Sequence, residues 1–230
     1  MSEILPYWSV LLRGLGITVV VTILGSIVAV LTAFVAGLGR LSEHRALRWP
    51  AAVFVEVFRG TSMLVQMFWF FYALPFFGIQ LTPLAAAVLT LGLNEGAYAA
   101  EIVRGAIKSR DAGQNEAGIA LGMGKALRMR RVLIPQSIPA MLPPFGNVVI
   151  DLLKNTSLVS LVTVGDLTFQ AQSVRNTTGQ TAAVFLTLLV AYFILSSVLS
   201  LLIKWLERRF AVDRTRRPRR ASLVKGKVSA

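Results

Sequence analysis

The stretch GLGITVVVTILGSIVAVLTAFVAGLG, residues 14–39, holds 26 residues and not one charge. A bilayer core about 30 Å thick is crossed by roughly 20 apolar residues at 1.5 Å each, so this run is long enough to span it. The rest of the chain follows the same pattern. Residues 60–94 are again free of charge, and those 35 residues would make a single helix about 52 Å long, too long for one crossing. Pro75, Phe76-Phe77-Gly78 and Pro83 supply breakers near its middle. Two crossings are expected there, over about 54–74 and 84–105, joined by a short hairpin. Residues 132–150 form a fourth run despite Pro135, Pro139, Pro143 and Pro144, since neighbouring helices and backbone adjustment can re-satisfy carbonyls that proline frees. Residues 176–203 form the fifth, with the apolar part at 182–203. The expected fold is an all-α integral membrane bundle with five transmembrane helices.

Charge sets the expected orientation. The chain carries 24 Lys and Arg against 11 Asp and Glu, a balance that in a soluble protein would point to nucleic acid. Placement excludes that reading. Arg40, Arg45 and Arg48 follow the first run, seven basic residues separate the third from the fourth, and ten follow the fifth, so 20 of the 24 fall on one side. The positive-inside rule puts the N-terminus outside and the C-terminus in the cytoplasm, as an odd number of crossings requires. The first run exceeds the 7–15 apolar residues of a signal peptide and reads as a retained span. Residues 211–230 read as a basic, disordered cytoplasmic tail in reach of anionic lipid. The absence of Cys excludes disulfides and thiolate sites, and a single His (His44) excludes a histidine metal cluster.

Polar groups inside spans are expensive, and each is a functional candidate against a structural alternative. Glu56/Arg59, Glu101/Arg104 and Asp151/Lys154 are spaced (i, i+3), so each pair can neutralise itself locally. Glu95 has no basic residue three or four positions away and lies mid-span. Together with Gln66, Asn94 and Tyr98 it is a candidate for a translocation pathway, or else for an inter-helix polar contact.

The loop over about 106–131 contains a helix signal of its own. Asp111 with Gln114 reads as a capping box. Glu116, Ala117, Ile119, Ala120 and Leu121 follow, ended by Gly122 at a left-handed cap. Its apolar face of Ala117, Ala120 and Leu121 is expected to lie on the bundle or on another protein.

Glu116-Ala117-Gly118, Gly122 and Val132-Leu133-Ile134-Pro135 resemble the EAA motif of ABC importer permeases: Glu-Ala-Ala, three residues, Gly, nine residues, Ile-x-Leu-Pro. The match holds at Glu116, Ala117, Gly122 and Pro135 and departs at Gly118, Val132 and Ile134. Glu56-Val-Phe-Arg-Gly-Thr61 with Val65-Gln66, Gly92-Leu-Asn-Glu-Gly-Ala-Tyr98 with Ala100-Glu101-Ile102, and Lys154-Asn-Thr-Ser157-Leu158 resemble the polar-amino-acid branch of these permeases.

That resemblance implies a transmembrane domain over 1–210 and no catalytic residues in this chain. It implies a second permease subunit, identical or similar, and two cytosolic ATPases that bind ATP and Mg and dock on Gln114, Glu116, Ala117, Ala120, Leu121 and Gly122. It also implies an extracytoplasmic solute-binding protein, and a polar amino acid or related zwitterion, including a compatible solute such as ectoine, as substrate. The chain itself lacks a phosphate-binding P-loop. Gly124-Lys125-Ala126 has neither the upstream Gly, where Ile119 stands, nor the hydroxyl. An ion-coupled secondary transporter is the alternative, against which stand the five crossings and the lack of an internal repeat. An intramembrane enzyme would need a carboxylate pair that Glu95 and Glu101 do not make by spacing.

Overall fold

The computed structural model describes residues 5–110 and 112–210, among which the regular elements are all helices. The tail at 211–230 and Asp111 of the expected capping box lie outside the described residues. The helices are α1 (Trp8–Arg40), α2 (Arg45–Gly60), α3 (Met63–Phe68), α4 (Pro83–Lys108), α5 (Ala112–Ala120), α6 (Lys125–Arg128), α7 (Ile134–Asn155), α8 (Leu167–Thr178) and α9 (Thr181–Phe210). A π-helical turn and a 3-10 turn carry α3 on to Phe77, and a π-helical turn over Met129–Leu133 joins α6 to α7.

Among the described residues, Trp8–Arg40, Lys125–Val162 and Thr181–Arg209 are long and apolar enough to cross a membrane. These contain the first and fourth expected runs and the apolar part, 182–203, of the fifth, whose first residues belong instead to α8. The fourth remains helical through all its prolines. The expected third crossing is α4, whose 26 residues reach about 39 Å. It is not among the helices apolar enough by composition, and its location explains why. α4 packs against α1, α2, α3 and α7, and Asn94 and Glu95 at its middle are buried. A helix screened from lipid can carry polar groups that face the bundle.

The second crossing corrects the sequence reading. A continuous helix was expected over about 54–74, but the chain breaks after Gly60, and the segments Arg45–Gly60 and Met63–Phe77 meet at 107°. Thr61 and Ser62 are extended, with ψ of 155° and 131°. The carbonyls freed at the end of α2 find side-chain donors instead of the next helical turn. Thr61 Oγ1 donates to the Val57 carbonyl at 2.7 Å, and Gln66 Nε2 and Asn94 Nδ2 each donate to that of Phe58 at 2.9 Å. The bent pair counts as a fourth span if taken as one.

The tightest seam joins α1 to α4. Gly25, Ala29, Ala33 and Gly37 recur every four residues along α1, facing Gly92, Gly96 and Ala100 along α4. A Cβ on Gly92 would lie 2.5 Å from Val28 Cβ, one on Gly96 2.6 Å from Thr32 Cβ, and one on Gly37 2.8 Å from the Ala100 carbonyl. Small residues at four-residue spacing let backbones approach closely, where packing rather than the hydrophobic effect holds helices together in lipid. The contact register rises together on the two helices, so α1 and α4 run in the same direction. α7 runs against them, since Ser137 Oγ donates to the Ala106 carbonyl at 3.3 Å while Asn155 reaches Glu95.

An unanticipated helix, α8, closes the end of the bundle where α1 begins. Asp166 caps it, accepting from the amides of Thr168 at 3.1 Å and Phe169 at 3.0 Å, and Gly179 ends it at φ +69°. Gly14 on α1 admits this cap, because a Cβ there would lie 2.8 Å from the Asp166 carbonyl.

The seam predicts the effect of adding volume. Gly96→Leu is expected to lower the unfolding free energy of the purified protein in detergent by about 1–3 kcal/mol or more through overpacking. Gly16→Leu, where a Cβ meets nothing within 4 Å, should leave it unchanged. Equal midpoints for the two variants in thermal or denaturant unfolding would contradict the seam.

Candidate functional site

Two regions gather the residues singled out by sequence, and α7 connects them. The first surrounds the break in the second crossing. Asn94 Nδ2 donates to Gln66 Oε1 at 3.0 Å as well as to the Phe58 carbonyl, and Tyr98 Oη donates to the Arg59 carbonyl at 3.4 Å. Gln66, Asn94 and Tyr98 therefore bond the exposed end of α2. The Arg59 guanidinium lies 5.1 Å from the centroid of the Tyr98 ring, within cation–π range.

A cleft of about 440 Å³ opens beside this network, lined by Met63, Asn94, Glu95, Tyr98, Asn147, Val148, Asp151, Lys154 and Asn155. Three of the four pathway candidates line it, while Gln66 stands behind Asn94. Glu95 is 6% exposed and accepts from Asn155 Nδ2 at 2.9 Å. The inter-helix contact weighed for Glu95 is thus present, and so is its access to a cavity. Asp151 and Lys154, 3.5 Å apart and exposed, place both signs of charge on the rim. Asn147 was not singled out. Its signal was readable, because Asn147, Asp151 and Lys154 recur at one helical face of α7.

Two of the three expected local ion pairs form, and one does not. Arg104 Nε donates to Glu101 Oε2 at 2.9 Å, and Arg40 joins the same carboxylate at 2.7 Å. Glu56 pairs with Arg40 at 3.5 Å rather than with Arg59, whose side chain is drawn to Tyr98. The (i, i+3) spacing permitted the Glu56–Arg59 pair, but the tertiary fold offered each residue another partner.

The second region is the loop between α4 and α7. α5 starts at Ala112 and ends in a Schellman motif: Met123 N–H donates to the Gly118 carbonyl and Gly122 N–H to that of Ile119, both at 2.9 Å, with Gly122 at φ +70°. The left-handed cap is therefore as expected. Glu116, Ala117, Ile119, Ala120 and Leu121 are all exposed, with Leu121 at 79%. The apolar side chains of α5 thus do not lie on the bundle. Gln136 Nε2 donates to Gln114 Oε1 at 3.3 Å, and Arg110 Nη1 donates to the Gln136 carbonyl at 3.1 Å, fastening α5 to the start of α7.

Gly118, the departure from the second alanine of the motif, has a structural cause. A Cβ there would lie 2.6 Å from Arg128 Cδ, because the Arg128 side chain folds over the turn and donates to the Met123 carbonyl at 3.4 Å. A Lys125–Glu43 ion pair anchors α6 to the loop after α1. The Lys125 hydrogen bond and charge hold the Glu43 carboxyl below its ordinary range.

The comparisons with known proteins agree with this geometry. The family described as "Binding-protein-dependent transport system inner membrane component" matches residues 23–212. A probable amino-acid ABC transporter permease protein of Sinorhizobium fredii is 42% identical over 201 residues, covering 85% of this chain and 84% of the relative. The L-cystine transport system permease protein of Bacillus subtilis is 39% identical over 205 residues, covering 88% and 87%. Among solved structures, a chain of an amino acid ABC transporter crystallised with histidines superposes with a TM-score of 0.83 at 35% identity, over 90% of this chain and 96% of that one. The spanning helices, the EAA-like loop and these likenesses together make the chain a member of the binding-protein-dependent inner membrane component family, the permease subunits of ABC transporters.

Proposed function

We propose that this permease forms the pathway of an ATP-driven importer for a polar amino acid or a related zwitterion, a compatible solute such as ectoine included. It pairs with a second permease subunit, identical or similar. Two cytosolic ATPases, which bind the ATP and Mg, dock on Gln114, Glu116, Ala117, Ala120, Leu121 and Gly122, and an extracytoplasmic solute-binding protein delivers the substrate. The observation that carries this reading is the continuity of α7, which is fastened to the exposed α5 at one end and lines the Glu95 cleft at the other. A push on α5 is delivered to the cleft wall as a rigid-body displacement, as alternating access requires. The cleft suits a zwitterion, since Glu95 and Asp151 can face an ammonium while Lys154 and the amides of Asn147 and Asn155 face a carboxylate. The names of the relatives, an L-cystine permease among them, support the amino-acid class.

The five-crossing topology, with the N-terminus outside and the C-terminus in the cytoplasm, belongs to the same proposal. It is supported by the parallel run of α1 and α4, the opposed run of α7, and the basic residues gathered at one end. A reporter fused after Leu206 is expected to be cytoplasmic, and one inserted at Gly78 external. The reverse pattern would rule this topology out.

Coupling is tested in the reconstituted transporter. Gly122→Val, strained by about 1–2 kcal/mol at a left-handed position, and Glu116→Lys should abolish uptake and substrate-stimulated ATP hydrolysis while membrane insertion persists. Gly118→Ala should weaken coupling by pushing α5 away from the Arg128 side chain, and adding Arg128→Ala, which removes the crowding atoms, should restore it. Normal coupling in the first two variants would mean that this loop is not the docking element, and the importer reading would lose its main support. Only uptake without an ATPase would favour an ion-coupled carrier.

Glu95→Gln keeps the acceptor for Asn155 and removes only the charge. It is expected to impair uptake with insertion and ATPase pairing intact. Unchanged uptake would leave Glu95 as an inter-helix contact alone.

A further inference from the structure

At the end of the bundle opposite α8, the last turns of α1 and α4 and the start of α2 enclose a cavity of about 680 Å³ lined by Arg40, Arg45, Arg48, Trp49, Ala52, Arg104 and Lys108. Five cations share this space. Arg40 and Arg104 are held by Glu101, and Arg40 also by Glu56. Among the described residues, Arg45, Arg48 and Lys108 have no ion-pair partner. Arg45, Arg48 and Ala52 stand on one face of α2 at helical spacing, and Ala52 is small enough to leave room between that face and α4. Three uncompensated cations converging on one concavity make a site for a phosphate group, which arginine forks recognise bidentately.

The place of the cavity at the end of the α1 apolar run favours one source of that phosphate. On α1 Val35, within the charge-free run, is 76% exposed. Arg40, the first charge after that run, enters the cavity five residues later, as expected of a residue at the end of a span. Trp49 on its rim is 70% exposed, as an aromatic ring at the membrane interface is. Basic pockets between transmembrane helices at this level are suited to anionic headgroups. We infer that this cavity binds the phosphodiester of an anionic phospholipid, with Arg45, Arg48 and Lys108 as the residues that select it over a zwitterionic lipid. The inference does not rest on the identity of the transported substrate.

The test uses the whole transporter in nanodiscs containing phosphatidylglycerol and phosphatidylcholine, with retained lipid counted by native mass spectrometry. Wild-type protein should retain phosphatidylglycerol preferentially. The triple variant Arg45→Gln, Arg48→Gln, Lys108→Gln should lower that preference on the order of a hundredfold, given the electrostatic contribution of each cation near the surface. The single change Arg48→Lys, which keeps the charge and loses the fork, should lower it several-fold. A control triple, Lys204→Gln, Arg208→Gln, Arg209→Gln, removes as many cations at the end of α9 and should retain the preference. Equal loss in both triples would reduce the cavity to general surface charge and overturn the proposal. Displacement of the lipid by excess inorganic phosphate would assign the site to a soluble anion instead. Loss of the ATPase with lipid retained would assign the surface to that partner. Because both leaflets have one composition, the outcome does not depend on the orientation proposed above.

Discussion

Everything in this bundle hangs on how closely α1 and α4 approach. Gly25, Ala29, Ala33 and Gly37 meet Gly92, Gly96 and Ala100 with no space for a further carbon at Gly37, Gly92 or Gly96. In lipid, where apolar surface gains nothing by leaving hydrocarbon for protein, such close packing is what holds two helices together. The seam draws α4 into the interior, and a helix in the interior can hold Asn94 and Glu95. Had α4 faced the acyl chains, those two residues would each have cost several kcal/mol without a partner.

The break after Gly60 follows from the same arrangement. A helix that stops inside a membrane protein leaves carbonyls that must find donors. Here the donors come from α4 and α3, through Asn94, Tyr98 and Gln66. The side chains that read as pathway candidates thus have a structural task as well. Only Glu95, Asn94 and Tyr98 among them also face the cleft, and Glu95 is the one whose charge the backbone does not require. α7 then links cleft and loop: Asn155 bonds Glu95 near one end, while Gln136 bonds Gln114 near the other.

Much of the loop between α4 and α7 was written in local sequence. Gly122 adopts the left-handed conformation its place after an apolar stretch foretold, and the apolar residues before it are exposed instead of lying on the bundle. Gly118 was a different case. Its meaning lay in Arg128, ten residues on, whose side chain occupies the volume a Cβ would take.

Sequence by itself determined the helical class, the membrane, the bounds of α4 to within a few residues, the apolar middles of α1 and α9, and the family, because hydrophobic length, charge placement and turn chemistry are local or additive along the chain. The α1–α4 seam was also written there, as small residues every four positions, and passed unread. Tertiary structure alone decided the bend after Gly60, the partner of Glu56, the capping of α2 by side chains from other helices, and the docking of α8 over Gly14. Each of these depends on which groups meet across the bundle, and a one-dimensional pattern records spacing along a helix but not the helix that will stand opposite.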